Sequence, residues 1–221
     1  MKSGFKRKSE PTGWVAIGLI AALNVGVYSL AMAGGSEKLA LWVEGWGWQA
    51  DIASTSIHWT VLLPNALTAS FLHLGWAHLL GNIAFLLLFG PQLERRIGIV
   101  FTLLGYMFFA ASANLLATVA VTDLPEPLVG SSGAVAGIMG AYLALFPFRR
   151  IGIYLPLGVY LHPIKAPGVL LIGLWLGIQL LYGWLGDDTS PLSWRVHIAG
   201  FGIGMSVGLV FFRLIGRGQK R

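Results

Sequence analysis

The sequence predicts an all-α, polytopic membrane protein built as a bundle of six transmembrane helices, with both termini in the cytoplasm. Of its 221 residues, 56% are hydrophobic and only 11% are charged, whereas soluble domains carry about a quarter charged residues. The mean hydropathy is +0.73. Six apolar stretches approach the roughly 20 residues that a helix needs to cross a bilayer, and the basic residues favour alternate connections between them. These observations exclude a soluble globular domain.

Each predicted span follows one apolar stretch, and the second and fourth are short. In chain order they cover residues 14–33, 76–90, 98–121, 132–148, 168–185 and 196–215.

The distribution of Lys and Arg predicts the orientation of the spans. Thirteen of the 15 basic residues precede span 1, follow spans 2 and 4, or lie at the end of span 6 and in the tail after it, and only Lys38 and Arg195 lie elsewhere. Basic residues concentrate in cytoplasmic connections, so the N-terminal residues 1–13 and the tail 216–221 are predicted to be cytoplasmic and to flank a membrane domain at 14–215. The net charge of +6 then reflects topology and contact with lipid headgroups, which argues against a nucleic-acid partner.

Two segments allow further interpretations. Ala31-Met32-Ala33 after a basic N-terminus resembles a signal-peptidase site, but the apolar stretch before it is longer than in a typical signal peptide, which favours an uncleaved span. The long outer connection at 34–75 holds Trp42, Trp46, Trp48 and Trp59. Since tryptophan prefers the headgroup level, this loop is predicted to lie in the outer interface as short amphipathic pieces. The apolar inner connection at 149–167 is predicted to be interfacial as well.

Polar side chains inside membrane spans are costly and are candidates for function. At helix depth the polar residues are His73, His78, His197, Asn82, Ser132, Asn24, Ser112, Asn114, Gln179 and Ser206. No Asp or Glu falls inside a predicted span, which excludes an aspartyl intramembrane protease. The chain contains no cysteine, which excludes thiolate sites. His73 and His78 are five residues apart and would point roughly 140° from each other on a helix, which argues against a zinc site. No metal or cofactor is expected.

The depth of the polar residues is informative. With the N-terminus inside, spans 2, 4 and 6 all enter the membrane from the outer face. His78 and Asn82 lie in the first turns of span 2, Ser132 opens span 4 and His197 opens span 6. These four side chains are therefore predicted at one level, just below the outer surface.

Small residues predict which helices meet. Span 4 carries stripes of Gly and Ala below Ser132, and span 6 carries Gly200, Gly204 and Gly208 below His197. Such stripes let helix backbones approach closely in lipid, so spans 4 and 6 are predicted to pack with Ser132 beside His197. The alternative is that the glycines are generic packing residues and that the polar pair only caps helix ends.

The predicted chemistry is serine acyl transfer. A serine hydroxyl becomes nucleophilic when an imidazole accepts its proton, and the imidazole then protonates the leaving amine. Without a carboxylate at that depth, Ser132 and His197 would form a dyad. The Ser132 N–H at a helix N-terminus and the side chains of His78 and Asn82 could donate to the oxyanion, and Gly133 would keep the backbone open to a substrate strand.

Four motifs together resemble the rhomboid intramembrane serine proteases. They are Gly130-Ser131-Ser132-Gly133, His73-x4-His78-x3-Asn82, Glu94-Arg95-Arg96-Ile97-Gly98, and His197-Ile198-Ala199-Gly200-x3-Gly204. The resemblance covers about residue 67 to the end of span 6.

This resemblance implies a multi-pass protein of a cell membrane, the bacterial inner or plasma membrane, that cleaves single membrane helices carrying a small residue before the cut. It implies Ser132 as nucleophile, His197 as base, and His78 and Asn82 with the Ser132 N–H as oxyanion donors. His73 would be structural and bond into the outer loop, while Glu94 and Arg96 would tie the inner end of span 2.

Two departures from the family pattern concern the support of the site. The first outer loop lacks the Trp-Arg pair of many members, and Ala136 stands where some members place an aromatic ring against the catalytic histidine. Two other functions are weighed against an active protease. They are a catalytically inactive relative that binds membrane helices, and an unrelated transporter or channel, which would place its polar residues near mid-membrane.

Overall fold

The computed structural model describes residues 13–49, 59–119, 127–157, 160–185 and 193–218. The helices are α1 (Val15–Met32), α2 (Gly35–Trp46), α3 (Trp59–Thr68), a 3₁₀ turn (Ala69–Phe71), α4 (Trp76–Ile97), α5 (Ile99–Val119), α6 (Ser132–Leu145), α7 (Gly168–Leu185) and α8 (Ser193–Gly218). Two strands, β1 (Arg150–Leu157) and β2 (Tyr160–Pro167), stand between α6 and α7.

Within these residues, five helices are long and apolar enough to cross a membrane, namely α1, α4, α5, α7 and α8. The predicted fourth span forms α6, which is apolar but has only 14 residues. Helix α6 is the central element, because its ten residues from Gly133 to Tyr142 are all buried. The surrounding helices expose large apolar side chains such as Leu19, Leu104 and Leu174, as is expected where lipid replaces water.

Glycine allows α6 and α8 to approach closely, as predicted. A Cβ atom at Gly200 would overlap the carbonyl oxygen of Gly133, and a Cβ atom at Gly204 would overlap that of Gly137. A Cβ atom at Gly208 would lie 2.8 Å from Ala144 Cβ. The two helices therefore touch backbone to backbone, and this contact confirms the predicted pairing of spans 4 and 6.

Helix α4 corrects the expectation that no acidic residue lies within a span. The predicted span ended at Gly90, but the helix continues through Pro91 to Ile97 and includes Glu94. Glu94 is fully buried, and its two side-chain oxygens accept hydrogen bonds from the backbone N–H groups of Val15 (3.0 Å) and Ile17 (3.1 Å). It thus satisfies N–H groups in the first turn of α1, which have no partner within that helix.

The inner connection corrects the all-α fold class. Strands β1 and β2 pair antiparallel, with Arg150 opposite Pro167 and Leu157 opposite Tyr160. Residues with a high strand preference, such as Ile151, Ile153 and Tyr154, favour this pairing. The fold is mostly helical with one β-hairpin.

The segment after α1 contains regular helices. Helix α2 is followed by Trp48, which pairs with Leu128 through two backbone hydrogen bonds of 2.9 and 2.7 Å. Trp46 is 53% exposed, whereas Trp48 is fully buried. The expectation of an interfacial tryptophan is therefore wrong for Trp48, because its side chain packs in a buried cluster with the small residues Ala66, Ala69 and Ala111. Residues 50–58 of this connection lie outside the described residues.

Candidate active site

One cavity collects the predicted site residues. Its volume is about 230 Å³, and its polar lining comes from His78 and Asn82 of α4, Ser132 of α6 and His197 of α8, with Trp175 of α7 beside them. Helices α4, α6 and α8 all begin near this cavity, at what we name the site end of the bundle. Glu94 and the start of α1 lie toward the other end.

Ser132 is the first residue of α6, and Ser131 is its N-cap. The first intrahelical bond runs from the Val135 N–H to the Ser131 carbonyl (2.9 Å). The earlier N–H groups of this turn, including that of Ser132, have no carbonyl partner within the helix. The hydroxyl of Ser132 is therefore accompanied by backbone donors and by the positive end of the helix dipole.

Gly130 is required by both conformation and space. Its φ of +129° is a backbone conformation that side chains disfavour, and its N–H donates to the Ala69 carbonyl at 2.9 Å. A Cβ atom there would lie 2.6 Å from His78 Cε1. The loop before Ser132 thus lies directly against the His78 ring. Gly133 is also confined, since a Cβ atom would lie 2.7 Å from Val196 Cγ1.

His73 connects two parts of the site from behind. The residue is fully buried, and its Nε2 lies 3.2 Å from Ser131 Oγ and 3.1 Å from Asn82 Nδ2. Burial lowers the pKa of His73 to about 4, with a smaller contribution from the neighbouring His78, so the ring is neutral at pH 7. A neutral Nε2 can accept from both groups when Nδ1 carries the proton. These bonds join His73 to the residue before Ser132 and to Asn82, and the ring also interacts with the backbone of Phe71 in the outer connection.

His197 is supported by α7. Its Nδ1 lies 2.7 Å from Gln179 Oε1, and its ring lies 5.8 Å from the Trp175 ring, centroid to centroid. Ala136 lines the same cavity but offers only a methyl group. Gln179 is one of the polar residues that the sequence places in a span, and the sequence predicts no role for it. An amide in an otherwise apolar helix indicates a buried hydrogen bond. The sequence does not identify the partner of Gln179, because the partner depends on how α7 is rotated against α8.

Several predicted polar residues are used elsewhere. The Asn24 and Asn114 side chains donate to the carbonyls of Ile20 (2.8 Å) and Ala66 (2.9 Å), and Ser206 donates to Gly202 (2.8 Å). These bonds satisfy side chains in an apolar environment. Arg96 is exposed, so the structure assigns the tie at the end of α4 to Glu94.

The cavity contains the groups that nucleophilic chemistry requires. A hydroxyl and an imidazole, carried by two helices in backbone contact, face one cavity with amide and imidazole donors on the opposite wall. Only one of the two Asn82 amide protons is directed at His73, so the other remains able to donate.

Comparisons with known proteins point to one family. The profile of the Rhomboid domain matches residues 61–214. The chain is 39% identical over 88 residues to the "Putative rhomboid protease YdcA" of Bacillus subtilis (strain 168), covering 38% of this chain and 42% of that protein. It is 28% identical over 153 residues to the human "Rhomboid-related protein 3", covering 66% and 36%. It is 35% identical over 162 residues to the "Inactive rhomboid protein 1" of Drosophila melanogaster, covering 72% and 10%.

These alignments span less than half of the length of each of those relatives. The domain match includes His73, His78, Asn82, Ser132 and His197. With five helices able to cross a bilayer, the protein is a multi-pass membrane protein. Because the domain profile covers more than half of the sequence, the chain belongs to the rhomboid family.

Proposed function

We propose that this protein is an intramembrane serine endopeptidase that uses a dyad of Ser132 and His197. The observation that carries the proposal is the backbone contact between α6 and α8, which brings this serine and this histidine to one cavity. If α6 and α8 needed only to pack, they would not require a nucleophile and a base at the same end of their contact.

In the proposed reaction, His197 accepts the Ser132 proton as the hydroxyl attacks the scissile carbonyl. The tetrahedral oxyanion is stabilised by the Ser132 N–H, the His78 ring and the free amide proton of Asn82. His197 then protonates the leaving amine, and water hydrolyses the acyl-enzyme by the same steps. Ser132 and His197 are both half-buried, so water can reach them.

The proposed topology places six spans in the membrane, including the short α6, with residues 1–13 and 216–221 in the cytoplasm. The basic residues on the predicted inner side support it. The site end of the bundle then faces outward, and the substrates are single-pass membrane proteins cut near the outer face after a small residue. A bacterial plasma membrane is the proposed location. The "Putative rhomboid protease YdcA" of Bacillus subtilis is consistent with it.

An inactive relative that binds membrane helices is the alternative, and the similarity to the "Inactive rhomboid protein 1" of Drosophila is the observation that favours it. Ser132, His197 and the glycines Gly130 and Gly133 around the serine are all present. This favours the enzyme, because an inactive relative is free to lose these residues.

Reconstitution separates the two functions. The full chain and a single-pass model substrate with a small residue near its outer end are placed in proteoliposomes. We expect cleavage by the wild type and none by Ser132→Ala or His197→Ala. Ser206→Ala is the matched control, because the Ser206 hydroxyl donates to the Gly202 carbonyl of its own helix, and it should cleave like the wild type. Binding of the substrate by the wild type without cleavage would support the inactive relative.

A further inference from the structure

Helix α7 contributes one buried polar side chain to a bundle that it otherwise contacts weakly. Among its residues only Gly168, Ile172 and Gln179 are buried, while Leu174, Leu180 and Trp184 are exposed. Gln179 itself is 8% exposed. Placing an amide in an apolar interior costs free energy unless it is hydrogen-bonded, so Gln179 requires a hydrogen-bond partner.

That partner is the proposed catalytic base. Gln179 Oε1 lies 2.7 Å from His197 Nδ1, a distance at the short end of the range for N–H···O bonds. Trp175, one turn earlier on α7, lies against the same imidazole. Residues four apart on a helix project from the same face. Helix α7 therefore holds His197 at two points, a ring contact and a hydrogen bond.

The identity of the facing atom has a chemical consequence. An amide oxygen only accepts, so His197 Nδ1 must carry the proton and Nε2 must be the unprotonated nitrogen. Only an unprotonated Nε2 can take a proton from Ser132. If the amide were reversed, its NH₂ group would donate to Nδ1, the proton would sit on Nε2, and the imidazole could not act as a base through that nitrogen.

We propose that Gln179 is a positioning residue that fixes His197 in the Nδ1–H tautomer and orients Nε2 toward Ser132, an inference that rests on the proposed function. The neutral amide takes the place that a buried carboxylate occupies in a catalytic triad. A neutral acceptor avoids the large desolvation cost of an ion at this depth. It also answers how His197 is supported where Ala136 provides no ring.

The direct test reads the tautomer and needs no turnover. The full chain is labelled with ¹⁵N-histidine in detergent micelles, and the His197 signals are assigned by their loss in His197→Gln. We expect a protonated Nδ1 and an unprotonated Nε2 in the wild type. In Gln179→Leu this preference should be lost, whereas Gln179→Glu, which keeps an oxygen acceptor, should retain it. The neighbouring lipid-facing variant Leu180→Met should match the wild type.

The second readout is the rate at which a fluorophosphonate labels Ser132. Loss of the hydrogen-bond partner of a metal-bound histidine typically lowers activity by about 10- to 100-fold. By analogy we expect a fall of this size in Gln179→Leu, and faster labelling in Gln179→Glu than in Gln179→Leu. A wild-type tautomer and rate in Gln179→Leu would overturn the proposal. So would a protonated Nε2 in the wild type. If Gln179→Leu does not fold, loss of the Nδ1–H tautomer in a folded Gln179→Glu variant would also overturn the proposal. An unreactive wild type with the expected tautomer would instead count against the proposed protease function alone.

Discussion

Single side chains at both ends of the bundle form hydrogen bonds with backbone or side-chain groups that would otherwise lack a partner. At the site end, His73 links Ser131 to Asn82, so the residue before the proposed nucleophile and a proposed oxyanion donor share one partner. At the other end, Glu94 accepts from two N–H groups of α1. Each side chain joins segments that are distant in sequence, and each is therefore expected to stabilise the fold as well as the local geometry.

Replacing Glu94 tests whether this single side chain stabilises the fold. Glu94→Leu removes the acceptor of the buried Ile17 N–H and of the partly buried Val15 N–H, and we expect a loss of roughly 2–3 kcal/mol in the free energy of unfolding. Unfolding in detergent micelles, followed by circular dichroism, measures it. Arg96→Gln alters an exposed side chain of the same helix and should change the free energy by less than about 0.5 kcal/mol. Equal stability of Glu94→Leu and the wild type would refute the capping role.

At the scale of elements, the seam between α6 and α8 determines the geometry of the site. Gly140 extends it, since a Cβ atom there would lie 2.7 Å from the Met205 backbone nitrogen. Because the obstructing atoms belong to the backbone, no rotamer change can relieve an added side chain. The position of His197 relative to Ser132 is thus set by the absence of side chains along the helices.

Two glycines of α8 provide a matched test of the seam. Gly204→Ala places a methyl group on the Gly137 carbonyl, whereas a Cβ atom at Gly202 meets nothing within 4 Å. We expect Gly204→Ala to lower stability by about 1–3 kcal/mol and to slow cleavage sharply, with Gly200→Val and Gly204→Val inactive. Gly202→Ala should be neutral or stabilising by up to about 1 kcal/mol, because alanine favours helix. Full activity in both valine variants would contradict the packing account.

Sequence periodicity predicted the features that depend on local pattern. The apolar stretches located the helices, and the stripes of small residues identified which two of them meet. The β-hairpin was missed because Ile151, Ile153 and their neighbours suit both a strand and an interfacial segment, and pairing with residues 160–167 is non-local. The resemblance assigned Glu94 to the inner end of span 2, but the predicted span stopped at Gly90 and did not show that the helix continues to Ile97 with Glu94 buried inside it. Gln179 was noticed, but its partner depends on how two helices are rotated against each other.

At the scale of the whole molecule, the proposed topology places α2 and the β-hairpin on opposite sides of the membrane. Glu37 of α2 and Arg150 of β1 are both exposed, and the chain has no cysteine of its own. Single-cysteine variants therefore report one position each. In intact spheroplasts, a membrane-impermeant maleimide should label Glu37→Cys, and it should label Arg150→Cys only after permeabilisation. The reverse pattern would invert the topology and move the site to the cytoplasmic face.

The central claim is that Ser132 is a nucleophile activated by His197. The most direct measurement is to treat the detergent-solubilised full chain with a fluorophosphonate and to locate the adduct by mass spectrometry. We expect an adduct on Ser132 in the wild type, none in Ser132→Ala, and strongly reduced labelling in His197→Ala. Labelling that persists in Ser132→Ala, or a folded wild type that is not labelled at all, would contradict it.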